Sequence, residues 1–156
     1  MLRDYGRVSK YEHVMVGFNS RLDTLQAAIL RAKLKKIDTW NKMRQDAAGL
    51  YNKFLKGSNI ITPYAASFAK HVYHVYAVRA KDRDSLCEKL KSEGVAVIIH
   101  YPIPLHLQKA YADLGYKKGD FPVSEKVSQE IMSLPMFPHI KEKEIEFIAK
   151  ILKGDN

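Results

Sequence analysis

The feature that most constrains this chain is a helical repeat that runs longer than a globular helix usually does. From Ser20 it passes through Leu22, Leu25, Ile29, Ile37, Trp40, Ala47, Leu50, Tyr51 and Phe54 at helical spacing, the signature of one apolar stripe. Lysines and arginines fill much of the other face, and Gly57 supplies a residue suited to a left-handed stop. Ser20-Arg-Leu-Asp23 resembles a capping box at its start. The pattern predicts a helix from about Ser20 to about Lys56, roughly ten turns at 3.6 residues each. Globular helices usually run about 8–20 residues. Such a rod must be bent, broken near Asp38, or docked against something large.

The segments on either side set the fold class. Residues 1–19 are irregular, punctuated by Gly6 and Gly17. After a loop over 58–70, His71-Val-Tyr-His-Val-Tyr-Ala-Val-Arg79 is dense in β-branched and aromatic residues and predicts a strand. Leu86, Cys87 and Leu90 give a short helix face ended by Gly94, and Val95 to His100 predicts a second strand. Tyr101-Pro-Ile-Pro-Leu105 is an extended loop, because two prolines remove ladder donors. A short helix over Leu107–Leu114, another from Pro122 to about Met132, extended backbone at Leu134–Pro138 and a final amphipathic helix over Glu142–Leu152 follow. The order predicts an α/β or α+β layer of helices over a small sheet.

The bulk properties narrow the class. The 156 residues are 46% apolar and 28% charged, the balance of a folded globular chain. About two-thirds of the unfolded surface can be buried at this length. No apolar run approaches the roughly 18 residues that cross a bilayer, and the N-terminus has no apolar signal core. Cys87 is the only cysteine, which fits a reducing cytoplasm. The net charge of +9 suits either a nucleic acid or a pocket for phosphorylated small molecules; the lysines are spread over several helices and favour neither.

Two constellations could carry chemistry. His100-Tyr-Pro-Ile-Pro-Leu-His106 places two imidazoles and a phenol on a backbone stiffened by Pro102 and Pro104. These groups can hydrogen-bond phosphate or sugar oxygens. A rigid surface turn with His and Tyr partly packed is the plainer account of the spacing alone. Gly17-Phe-Asn-Ser-Arg21 lies at the predicted helix start, where free N–H groups with Asn19 and Arg21 suit an anion; a plain cap by Asn19 or Ser20 explains the same residues. His71 and His74, three apart on a predicted strand, point to opposite faces and do not chelate one metal. No zinc-ligand spacing, nucleophile–base pair or glycine-rich phosphate loop is legible.

Taken together in order, the segments carry a resemblance. Gly17-Phe-Asn-Ser-Arg-Leu-Asp-Thr-Leu-Gln-Ala-Ala28 resembles the GxNxRxxxxQAA signature of the DegT/DnrJ/StrS-type sugar-nucleotide aminotransferases. Arg44, Ala47 and Tyr51, His71–Tyr76, Arg83-Asp84, His100–Gln108, Phe121–Glu125 and Ser133–Met136 are similar to the same family in the same order. The opening Asp4–His13 resembles its HGRxxKYxH-like stretch, with Tyr5 where His is common.

That resemblance implies the C-terminal α/β small domain of a fold-type-I enzyme that depends on pyridoxal phosphate. It implies a remnant of the large domain over 1–19, a connecting helix over 20–57 and the small domain over 58–156. It implies a homodimer that moves an amino group from glutamate to a nucleotide-linked keto sugar, and the His-Tyr-Pro-x-Pro-Leu-His form suggests a 3-keto sugar. Asn19 would reach the cofactor phosphate of the other subunit. Lys10, Tyr11, His100, Tyr101 and His106 would lie near the nucleotide-sugar. In the family the Schiff-base lysine lies upstream of the HGR-like stretch, and no lysine here stands in a matching context. The expectation is therefore a chain with no catalytic residue and no metal, inactive alone. The rivals are a non-catalytic nucleotide-sugar-binding or dimerisation module and a basic nucleic-acid module. The latter has no groove-reading motif to support it.

Overall fold

A computed structural model of the chain describes residues 1–154. They form two compact units, Met1–Asp38 and the remainder from Thr39. In the first, residues 1–20 fold back on themselves without regular strands. Isolated bridges join Asp4 to Asn19 and Arg7 to His13, and backbone hydrogen bonds run from Tyr5 N–H to the Phe18 carbonyl (3.0 Å) and from Ser20 N–H to the Arg3 carbonyl (2.9 Å). The two arms touch backbone to backbone at Gly6 and Gly17. A Cβ on Gly17 would overlap the Gly6 nitrogen and the Tyr5 carbonyl carbon, and Gly6 itself holds a φ of +71°. Beside them Arg7 donates to the Asp4 carboxylate at 2.9 Å, which holds that carboxyl below its ordinary range.

Helix α1 spans Thr24–Leu34 and buries none of its residues. Its cap is Asp23, whose carboxylate accepts from the N–H groups of Leu25 (2.8 Å) and Gln26 (3.3 Å). The expected start at Ser20 is thus corrected by one turn. An Asp brings both an acceptor and a negative charge to the N-terminal N–H groups. The expected single rod is also two helices. α1 ends at Leu34 and α2 spans Ile37–Phe54, with the interruption at Lys35 and Lys36, just before Asp38. Nothing in Leu34-Lys-Lys36 breaks a helix locally. The interruption falls where packing changes: α1 has no cover, while α2 buries Ala47, Ala48 and Tyr51.

The second unit is built around α2 and a small antiparallel sheet. β1 (Tyr76–Arg79) pairs with β2 (Ile131–Leu134), Tyr76 opposite Leu134 and Arg79 opposite Ile131. Single bridges extend this ribbon on both sides, Ile61 on Arg79 and Ile98 on Ser133. α3 (Arg83–Ser92), α4 (Pro122–Glu130) and α5 (Glu142–Lys153) complete the unit. The core joins α2 (Ala48, Tyr51), β1 (Tyr76, Val78), α3 (Cys87, Leu90), β2 (Met132, Leu134) and α5 (Ile145, Ile148). Burial pushes the Cys87 thiol up, so it stays a small packing group.

Three expected elements differ, each for a nameable reason. The strand expected over His71–Arg79 begins only at Tyr76. The carbonyls of its first half are taken by α2: Gln45 donates to that of His71 (2.9 Å), and Arg44 to those of Tyr73 and His74 (3.3 Å each). Tyr73 N–H closes on the His71 ring Nδ1 at 2.9 Å, and Tyr73 turns to a φ of +49°. The strand expected over Val95–His100 contributes one bridge, at Ile98. Conversely, Ile131 and Met132, expected at the end of a helix, start β2; a helix of Pro122–Glu130 gives way where Met132, Ser133 and Leu134 become buried.

Candidate functional site

The site grows from the chain leaving Ile98. Ser133 of β2 accepts or donates at His100 Nδ1 through its hydroxyl (2.9 Å), which fixes that imidazole to the sheet. Pro102 and Pro104 then hold the backbone extended until two short 3-10 turns, Leu105–Leu107 and Lys109–Leu114. The second is the short helix expected over 107–114, in 3-10 form, and Gly115 ends it at a φ of +75°. The far end of the loop is held by α4. Glu125 Oε1 lies 3.0 Å from His106 Nε2 and accepts the Gly119 N–H at 2.8 Å. Those contacts, Gly119 first, keep the Glu125 carboxyl below its ordinary range. The Phe121 ring packs on His106 at 4.7 Å and meets Tyr116 edge-on at 5.1 Å.

Between loop and helix lies a cavity of about 190 Å³ lined by His100, Tyr101, Ile103, Ser124, Val127 and neighbours. Complete small-molecule pockets run about 300–1,000 Å³, so this one suits part of a ligand. Tyr101 stands at its rim, 71% exposed. The structure therefore brings His100, Tyr101 and His106 onto one stiff segment. The His106 side chain is 8% exposed, and its Nε2 faces Glu125.

Lys10, Tyr11 and Asn19 belong to the first unit. Lys10 Nζ sits 5.1 Å from the Tyr11 ring centre, and Tyr11 is 81% exposed. Asn19 is exposed; Asp23, not Asn19 or Ser20, caps α1, so the Asn19 amide is not spent on the helix. Every lysine of the chain is exposed. Among the described residues no group of three or more His, Cys, Asp or Glu side chains could hold a metal.

Sequence reasoning missed the groups that hold this arrangement. Arg44 donates to three carbonyls from two segments, including that of Met136 at 2.9 Å. The buried Arg83 donates to the Ile131 carbonyl (2.9 Å) and to Asp84 (2.5 Å), joining α3 to the start of β2. Tyr51 donates to the Pro135 carbonyl at 2.8 Å and Tyr76 to Asn52 at 2.5 Å. Burial keeps both phenols protonated well beyond ordinary pH.

Comparison with known proteins matches residues 1–153 to the DegT/DnrJ/EryC1/StrS aminotransferase family. A Geobacillus stearothermophilus protein named pleiotropic regulatory protein is 42% identical over 96% of this chain and 41% of its own length. The dTDP-3-amino-3,6-dideoxy-alpha-D-galactopyranose transaminase of Aneurinibacillus thermoaerophilus is 39% identical over 96% of this chain and 41% of its own length. The crystal structure of S. venezuelae DesV is similar at a TM-score of 0.95 and 37% identity, covering 99% of this chain and 42% of that one. The chain thus spans about two-fifths of the length of the relatives it matches.

Proposed function

Because the chain belongs to the DegT/DnrJ/EryC1/StrS aminotransferase family, we propose that it forms the sugar-facing C-terminal part of a pyridoxal-phosphate-dependent aminotransferase. The complete enzyme moves an amino group from glutamate to a nucleotide-linked keto sugar. In this reading residues 1–19 belong to the large domain, 20–57 connect, and 58–156 are the small domain. The observation that carries the proposal is the His100–His106 segment, pinned at Ser133 and at Glu125, with Tyr101 displayed over a part-ligand cavity. The transaminase from Aneurinibacillus aminates carbon 3 of a dTDP sugar by its name, which supports a 3-keto substrate.

The residues fit the cofactor in part. The exposed Asn19 amide is a ready donor to a phosphate, reaching that of the partner protomer in a homodimer. The amine is another matter. A lysine that bonds an aldehyde needs a desolvated setting, and every lysine here is exposed. When bound, pyridoxal phosphate supplies the electron sink. The tasks of this chain are binding and orientation. His100 and Tyr101 hydrogen-bond the nucleotide-sugar, and His106 acts through the loop; in the first unit Lys10 and Tyr11 offer a charge and a ring to such a ligand. Leu25 (71% exposed), Ile29 and Leu34 on α1 support a face that other protein covers. The buried, unpaired Cys87 supports a reducing cytoplasm.

The test is a titration of the chain with dTDP-glucose followed by amide and imidazole NMR shifts. The expected result is saturable shifts at His100 and Tyr101, with a second set at Lys10 and Tyr11. Shifts at neither set, or equal shifts across the lysine-rich helices, would contradict it.

A further inference from the structure

We propose that Glu125 is a positioning residue for the sugar-facing loop, holding the span from Pro104 to Phe121 against α4 and so setting the width of the cavity beneath Tyr101. The proposal rests on the reading of that cavity as the sugar side of a nucleotide-sugar site. One carboxylate oxygen does two jobs: it meets His106 Nε2 at 3.0 Å and takes the Gly119 N–H at 2.8 Å. The two contacts come from opposite ends of an excursion whose residues 107–119 contribute nothing to the buried core. Apolar packing therefore does not fix this excursion; the His106–Phe121–Tyr116 ring contacts and the carboxylate do.

The same first turn of α4 that carries Glu125 also carries Ser124, which lines the cavity opposite His100 and Tyr101. A change in how His106 seats on Glu125 is thus a change in the distance between the two cavity walls. The other wall is independently fixed, because His100 is held by Ser133 of β2. A plainer role exists for Glu125, since an acid early in a helix favours its N-terminal dipole. That role predicts an effect on α4 and none on the loop.

Two variants separate these roles. Glu125→Ala removes both contacts. Glu125→Gln keeps an amide oxygen that accepts the same two N–H groups. Hydrogen exchange is read at the amides of Leu107 to Gly119 without ligand, with the β1 and β2 amides as control. Binding of dTDP-glucose is read beside it. For Glu125→Ala we expect exchange in that span to rise about tenfold or more, as local opening is freed, with the control amides unchanged and the dTDP-glucose affinity falling about tenfold. Glu125→Gln restores both to within about threefold. Unchanged loop exchange in Glu125→Ala overturns the proposal. So does a loosened loop that binds dTDP-glucose as wild type does, which leaves the carboxylate a purely structural clasp. Failure of the wild-type chain to bind dTDP-glucose counts against the functional reading; the exchange comparison then decides the positioning role by itself.

Discussion

Replacing Gly17 with alanine is expected to dismantle the fold of residues 1–20 while the second unit unfolds as before. The added Cβ would overlap the Gly6 nitrogen and the Tyr5 carbonyl carbon. Both are backbone atoms, so no side chain can swing away. Overpacking a yielding core costs about 1–3 kcal/mol, and this contact has less to yield. The arms are joined by a few backbone hydrogen bonds and bury almost no apolar surface, so little else holds them. The measurement is the amide spectrum of residues 1–20, compared with Gly49→Ala. A Cβ at Gly49, mid-α2, meets nothing within 4 Å, and there alanine should stabilise by about 0.5–1 kcal/mol. Native shifts over residues 1–20 in Gly17→Ala would show that the two arms do not cross as described. The consequence reaches the proposed function, because Lys10, Tyr11 and Asn19 are carried on these arms.

The second large effect is expected at Tyr51. Its ring is fully buried, stacks on Tyr76 at a centroid distance of 4.6 Å, and its hydroxyl reaches the Pro135 carbonyl at 2.8 Å. Tyr51→Ala removes the ring from the junction of α2, β1 and the segment after β2. Large aromatic-to-alanine changes in cores cost about 3–5 kcal/mol. Tyr51→Phe keeps the ring and strands one carbonyl, at a cost of about 1–3 kcal/mol. Urea unfolding with an unchanged slope would report these losses as shifts of the midpoint. Equal losses in the two variants would mean the hydroxyl, and not the ring, organises this core.

These two positions also mark how far the sequence could be read. Tyr51 lay on a visible apolar stripe, and the last helix was plain from Ile145, Ile148, Ile151 and Leu152. Pro122 marked the start of α4 correctly, since proline suits the first helical turn. What stayed illegible depended on partners distant in sequence. The residues His71–Val75 have strand composition, yet Arg44 and Gln45 take their carbonyls from 26 to 30 positions away. β2 hid behind a helical pattern because only its pairing with Tyr76–Arg79 makes it a strand. The site divides in the same way. His100, Tyr101 and His106 were visible as a stiff loop, because the prolines are local. Ser133 and Glu125 were not marked as their partners, since those contacts close across 33 and 19 residues. The turn of His106 into the protein could not be read without them.

On the proposed function these residues bind and orient a nucleotide-sugar, and none of the exposed lysines of this chain bonds the cofactor. The most direct test incubates the purified chain with pyridoxal phosphate, reduces with borohydride and maps the modified peptides. The expected result is slight labelling scattered over several exposed lysines. One lysine modified at one cofactor per chain, with the others untouched, would contradict it.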